Sequence, residues 1–188
     1  MATRSDGDLV RAAMGGDVDS FVGLCHRYYP SLVAVARAVL GDGHLAEDAA
    51  QEALAAACRR LGTLKDPDQF GAWLTTICRN KATDILRQRP RVERLGKRDL
   101  PAPPVHSGRT GDAGDAADDI AAVRAAVDSL SVESRELLYL RYRNELSYDA
   151  IADRLGLSVE AVHGRLHRAK RDVKTHLERT RARDRRSL

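Results

Sequence analysis

The sequence predicts an all-α protein: two small helical domains, a bundle and a helix-turn-helix, joined by a flexible linker. Three observations predict it. Apolar residues recur at three- and four-residue steps along most of the chain, the period of helices with one buried face. β-branched runs are absent, and with aromatics at only 4% the cores must be built from Leu, Val, Ile and Ala. A Pro-, Gly- and Asp-rich stretch separates two patterned halves. The expected boundaries are 1–89 for the first domain, 90–119 for the linker, 120–178 for the second domain and 179–188 for a basic tail.

In the first half, Phe21, Leu24, Tyr28, Leu32, Val35 and Val39 form one helical stripe, broken at Gly41-Asp42-Gly43. A second stripe, Leu45, Ala49, Ala53, Ala57 and Leu61, ends at Gly62. After the polar loop Thr63–Asp68, a third runs through Phe70, Trp73, Leu74, Ile77, Ile85 and Leu86 and stops before Pro90. Pro101, Pro103 and Pro104 then exclude regular structure, and Gly108, Gly111, Gly114 and the acidic DAGDAADD run at 112–119 extend the linker. In the second half Ile120, Val123 and Val127 give a short stripe. Ser131 caps a helix carrying Leu137, Leu138 and Tyr142, Ser147 caps Tyr148–Leu155, and Ser158 caps a last helix striped by Val162, Leu166, Ala169, Val173 and Leu177.

Composition excludes several classes. The N-terminus MATRSDGDLV carries acids where a signal peptide needs a basic patch and an apolar run, and no apolar stretch approaches the roughly 20 residues of a membrane span. A cytoplasmic protein without membrane insertion is expected. Cys25, Cys58 and Cys78 lack any CxxC or nearby Cys/His pair, so small apolar side chains on buried helix faces are expected, not a disulfide framework or zinc site. Walker, GxSxG and HExxH motifs are missing and the His residues lack ligand spacing, so no enzyme, cofactor or metal is expected.

The 188 residues carry 31 Lys and Arg against 27 Asp and Glu, and the formal net charge of +4 is unevenly spread. Basic residues crowd Arg165–Arg186 and Arg87–Arg98, the electrostatic footprint of a phosphate-binding protein. Between Tyr148 and Leu166 a specific pattern appears. Ala152 is small enough for two helices to cross, Gly156 four residues later can take the positive φ of a tight turn, and Val162 packs the second helix on the first, with Ile151, Leu155 and Leu157 filling inward positions. This is a helix-turn-helix whose second helix enters the major groove. Opposite the inward stripe lie Glu160, His163, Gly164, His167, Arg168 and Arg171, placed to reach base edges, while Lys170 and Lys174 suit phosphates.

Along the third helix Thr76, Asn80, Thr83 and Arg87 share one face, with Arg79 and Asp84 beside it: hydrogen-bonding side chains of the kind that read exposed bases. The second helix instead offers Asp48, Gln51 and Glu52, an acidic-polar patch suited to a basic protein partner.

Three blocks then resemble a known family, the group IV or extracytoplasmic-function (ECF) sigma factors of bacterial RNA polymerase, within the sigma-70 family. LAEDAAQEALAAACRRL (45–61) is similar to the segment that grips the polymerase clamp, FGAWLTTICRNKATDILRQ (70–88) to the promoter −10 helix, and SYDAIADRLGLSVEAVHGRLHRAKRDV (147–173) to the −35-reading helix-turn-helix. The resemblance runs from Asp17 to Leu177 apart from the linker.

It implies a sigma factor that binds core polymerase, recognises the −35 and −10 elements and promotes transcription initiation. Asp48, Gln51 and Glu52 would meet the clamp of the largest polymerase subunit. Thr76, Arg79, Asn80, Thr83, Asp84 and Arg87 would serve −10 recognition, with Lys65, Asp66 and Asp68 in the loop that captures an unstacked base. Glu160, His163, Gly164, Arg165, His167, Arg168 and Arg171 would read −35, and the basic start of the linker would follow phosphates nearby. An anti-sigma factor is the regulatory partner the resemblance implies. Arg165 and Arg168 match the family pattern, whereas His163-Gly164 stands where a basic residue and Ser are frequent, and His167 at a frequently aromatic position.

Two other readings of the residues stay open at this level. One is a free-standing helix-turn-helix regulator whose first half binds a ligand or dimerises, and which grips duplex DNA without polymerase. The other is an interaction protein with solubilising basic ends.

Overall fold

A computed structural model describes residues 4–88 and 113–184, which fold as two groups of α-helices. The first comprises α1 (Asp6–Met14), α2 (Val18–Leu40), α3 (Gly43–Arg60) and α4 (Phe70–Gln88), with single 3₁₀ turns at Leu61–Thr63 and Pro67–Gln69. The second comprises α5 (Ala113–Asp128), α6 (Val132–Leu138) with a π-helical turn at Tyr139–Arg143, α7 (Tyr148–Leu155) and α8 (Val159–Asp184). Among the described residues there is no strand.

The stripes of the first half converge. Asp17 and Asp42 cap α2 and α3 with their carboxylates, and Gly41 turns between the two helices at φ 69°. That two-residue connection folds α3 back along α2. Ala46, Ala49, Ala50, Ala53, Ala56 and Ala57 are buried on α3, a surface of small side chains that lets α2 and α4 approach it closely. Leu24, Leu32, Val35, Phe70, Leu74 and Cys78 fill the centre, and Tyr28 meets Phe70 edge-to-face at 5.3 Å. The α2 stripe runs straight through Pro30, and so does the helix, with Pro30 itself on the exposed side.

One helix has no counterpart in the sequence expectations. Ser5 caps α1, which buries Leu9 and Val10 against α2 and lays Asp6 against Arg27 and the Tyr28 hydroxyl. Other expectations shift. The acidic end of the expected linker is helical from Ala113, most of that linker lies outside the described residues, and α8 continues to Asp184, into the expected tail. The α5 stripe is out of phase: Ile120 and Val123 are exposed while Ala126 is buried, because α5 lies on α8 through its last turns. Tyr142 is also exposed, since Leu137, Leu138 and Leu140 fill the core beside it. Cys78 is buried, but Cys25 is only half-buried and Cys58 is exposed, on the flank of α3 away from its alanine face.

The halves are packed together: α6 and the π turn lie on α2, and α7 lies on α4, so a single apolar core runs through both. Gly71 makes the α7 contact possible, since a Cβ there would sit 3.0 Å from the Tyr28 hydroxyl and 3.4 Å from the Asp153 carbonyl. Among the described residues, no helix is long and apolar enough to cross a membrane and no cluster of three or more potential metal ligands occurs.

Candidate nucleic-acid interface

The second half carries the helix-turn-helix the sequence predicts. Ser147 Oγ accepts from the Ala150 amide at 3.1 Å and Ser158 Oγ from the Ala161 amide at 3.2 Å, fixing the starts of α7 and α8. Between them Gly156 sits at φ 64°, the left-handed conformation that turns the chain and that a side chain resists. Ile151, Ala152, Val162, Leu166 and Ala169 are buried, locking α8 across α7 and orienting the opposite face outward. Glu160, His163, His167, Arg168 and Arg171 are exposed there and Gly164 is half-exposed, while Arg165 is exposed on the flank, close enough to Glu133 of α6 to act on its charge.

Aromatic side chains organise the edge of this face. His163 stacks on Tyr148, ring centroids 4.9 Å apart, and the Arg141 guanidinium lies 5.3 Å from the Tyr148 centroid. Lys170 lies 5.3 Å from the Tyr142 ring, whose hydroxyl holds its ammonium pKa above the ordinary value. Arg141, Tyr142 and Tyr148 therefore join the surface. Sequence periodicity assigned Tyr142 to a core stripe and left the other two aside; the signal that points to them is the π turn, which ends the regular helix and turns Tyr142 outward.

The face of α4 is in a different state. Thr76 and Thr83 donate to carbonyls of their own helix, Ala72 at 2.9 Å and Arg79 at 2.8 Å. Asn80 is exposed, and Asp84 faces Arg87 at 3.9 Å. Arg79 grips Glu136 of α6 through both carboxylate oxygens, at 2.8 and 3.0 Å. Glu136 is only 3% exposed, and burial pushes its pKa up against the opposing pull of the Arg79 guanidinium. In the preceding loop Lys65, Asp66 and Asp68 are exposed. Asp66 caps the 3₁₀ turn by accepting from the Asp68 amide at 3.0 Å, and Asp68 reaches back to Gly7 and Arg11 of α1. The basic run beyond Gln88 lies outside the described residues.

On α3, Asp48, Gln51 and Glu52 are all exposed, away from the alanine face, and Glu52 pairs with Lys81 of α4 at 3.3 Å. This acidic patch and the basic α8 are separate surfaces of one molecule.

A helix-turn-helix with an exposed basic second helix, joined to a helical half with an acidic patch and a polar helix, defines a DNA-binding protein of two modules. Comparison with known proteins makes it specific. Residues 24–92 match Sigma-70 region 2 and residues 120–173 match Sigma-70, region 4. The chain is 35% identical over 150 residues to the probable RNA polymerase sigma factor RfaY of Xanthomonas campestris, covering 78% of this chain and 38% of that protein. It is 30% identical over 182 residues to the RNA polymerase sigma factor CnrH of Cupriavidus metallidurans, covering 93% and 95%. A solved structure of CnrH in complex with the cytosolic domain of CnrY has a TM-score of 0.60 at 29% identity, covering 92% of this chain and 97% of CnrH. The chain spans only 53% of SigE of Mycolicibacterium smegmatis and 63% of BldN of Streptomyces coelicolor, both ECF sigma factors, so some relatives are much longer. The chain belongs to the ECF group of the sigma-70 family of RNA polymerase sigma factors.

Proposed function

We propose that this chain is a promoter-specificity subunit: it binds bacterial core RNA polymerase, reads −35 through α8, and helps open DNA at −10 through α4 and the Lys65–Asp68 loop. The observation that carries the reading is the pairing of one exposed basic recognition helix with the region 2 and region 4 matches in their family order. On this reading residues 1–89 form the core- and −10-binding domain and 120–178 the −35-binding domain. Asp48, Gln51 and Glu52 meet the clamp of the largest polymerase subunit. Arg165, Arg168 and Arg171 supply guanidinium forks for guanine edges or phosphates, and His163 and His167 add shorter hydrogen-bonding groups. Asn80 faces the −10 strand, where extruding a base costs a few kcal/mol that a preformed loop offsets. The chain acts in the cytoplasm and not as an enzyme. An anti-sigma factor is its regulatory partner, consistent with the complex of CnrH with the cytosolic domain of CnrY.

The test is run-off transcription with bacterial core polymerase on a promoter library, with and without the chain. Transcripts that start downstream of a shared −35/−10 pair only when the chain is added are expected. Tight binding of the chain alone to duplex DNA, with no transcripts, would favour a free-standing regulator instead.

A further inference from the structure

The packing of the two halves conflicts with simultaneous promoter reading. On the function proposed above, α4 and α8 act at elements named about 25 base pairs apart, about 85 Å of B-form DNA at about 3.4 Å per pair. In the structure α7 lies on α4 and α8 lies on α7, so the two helices are separated by only two packed layers, about 20 Å. The packed arrangement and the promoter-bound arrangement are therefore different states of the chain.

Specific contacts hold the packed state. Glu136 presents both oxygens to Nη2 of Arg79, occupying with a buried carboxylate a cation that a phosphate would otherwise engage. Arg154, 9% exposed, donates to Ser31 Oγ at 2.9 Å and to the Arg27 carbonyl at 3.5 Å, and stacks 4.6 Å from the centroid of the buried Tyr28 ring. Arg135 donates from Nε to the Ala38 carbonyl at 3.0 Å, at the C-terminal end of α2 where carbonyls lack helical partners and the dipole favours a cation. Gly71 and Ala72 offer α7 a surface without bulk, and a Cβ on Gly156 would sit 3.3 Å from the Ala72 methyl. These contacts join residues 57 to 127 positions apart, so no one element holds the halves together.

We propose that this is a self-occluded state of the free chain, latched by Glu136 on Arg79 and by Arg154 in the Ser31–Tyr28 niche, and that promoter engagement requires the halves to separate. Glu136 then acts as an internal competitor for the −10 face, while the −35 face of α8 stays open. The apparent affinity of the −10 face for nucleic acid is lowered by the fraction of chains latched.

Small-angle scattering of the full chain tests the latch, on wild type, Glu136→Ala, Arg154→Ala and the double variant, with helicity checked by circular dichroism. The wild type should show the radius of gyration of a compact chain of this length, about 16 Å. The double variant should exceed it by about a third, as two separated domains of one chain would. If Glu136→Ala fails to fold, Arg154→Ala carries the test alone. In parallel, binding of a fluorescein-labelled mixed-sequence single-stranded 20-mer should tighten about threefold to tenfold in the double variant. Glu47→Ala, which removes an exposed acid on α3 away from the latch, should leave binding unchanged. A wild type already as extended as the double variant would overturn the proposal. So would a double variant that stays compact, or one that opens without tighter binding. Failure of every variant in run-off transcription would count against the sigma-factor reading and leave the scattering result standing.

Discussion

The two helices assigned to DNA differ in one respect that matters. Helix α8 presents His163, Arg165, His167, Arg168 and Arg171 to solvent, while α4 has its principal cation, Arg79, held through Nη2 by both oxygens of a buried glutamate from the other half. Both helices are amphipathic and both bury a stripe of small and aliphatic residues. What separates them is tertiary: among the described residues α8 packs mainly on α5, α6 and α7 of its own half, whereas α4 is also the seat for α7 of the other half. A surface can thus carry the right residues and still be withheld by an intramolecular partner.

Four variants break or sharpen that contrast. The largest effect belongs to neither DNA helix. Asp48→Arg should abolish holoenzyme assembly, read by co-migration with core polymerase, while helicity is unchanged because Asp48 is exposed. Normal assembly would remove the clamp contact from α3. Next, Arg168→Ala should cost about 1–3 kcal/mol of discrimination between a native and a −35-altered promoter, as expected for one bidentate base contact, without touching core binding. Equal initiation on both promoters would show that Arg168 reads no base. Lys174→Ala should weaken duplex binding evenly across sequences and lower the slope of log affinity against log salt by about one, the mark of a phosphate contact. An unchanged slope would exclude that role. The smallest effect is on stability. The Ser20 hydroxyl and amide hold the Asp17 carboxyl pKa below its usual value, so this cap stabilises α2 above the ordinary carboxylate pKa and loses its contribution as pH falls through the lowered folded value. Asp17→Ala should therefore lower Tm slightly at pH 7, with the difference from wild type shrinking as pH falls below the ordinary carboxylate range.

Legibility in the sequence follows the range of the interactions. The helix-turn-helix was readable because its determinants are local: Ser147 and Ser158 cap, Gly156 turns at positive φ, and Ile151, Ala152 and Val162 are spaced for one inward face. The α3 stripe was readable for the same reason, and so was its acidic opposite face. Helix α1 was not, because its first-turn acids Asp6 and Asp8 look like a solvated terminus, and only the folded chain brings Asp6 to Arg27 and Tyr28. Ile120 and Val123 were assigned inward on apolar character, but the phase of α5 is set by where α8 touches it, at Ala126. Glu136 is the sharpest case. Beside Leu137 and Leu138 it reads as the polar side of an amphipathic helix, and its partner Arg79 lies 57 residues away, so no local pattern marks it as a buried half of an ion pair. The candidate DNA face on α8 was thus legible, and the state of the face on α4 was not.

The central claim is that this chain opens promoter DNA only as a subunit of polymerase. Permanganate footprinting tests it most directly, on a promoter selected by run-off transcription, with core polymerase, with the chain, and with both. Reactive thymines around −10 that appear only when core and chain are present together are the predicted result. Protection or distortion of the same duplex by the chain alone, with core adding nothing, would contradict it.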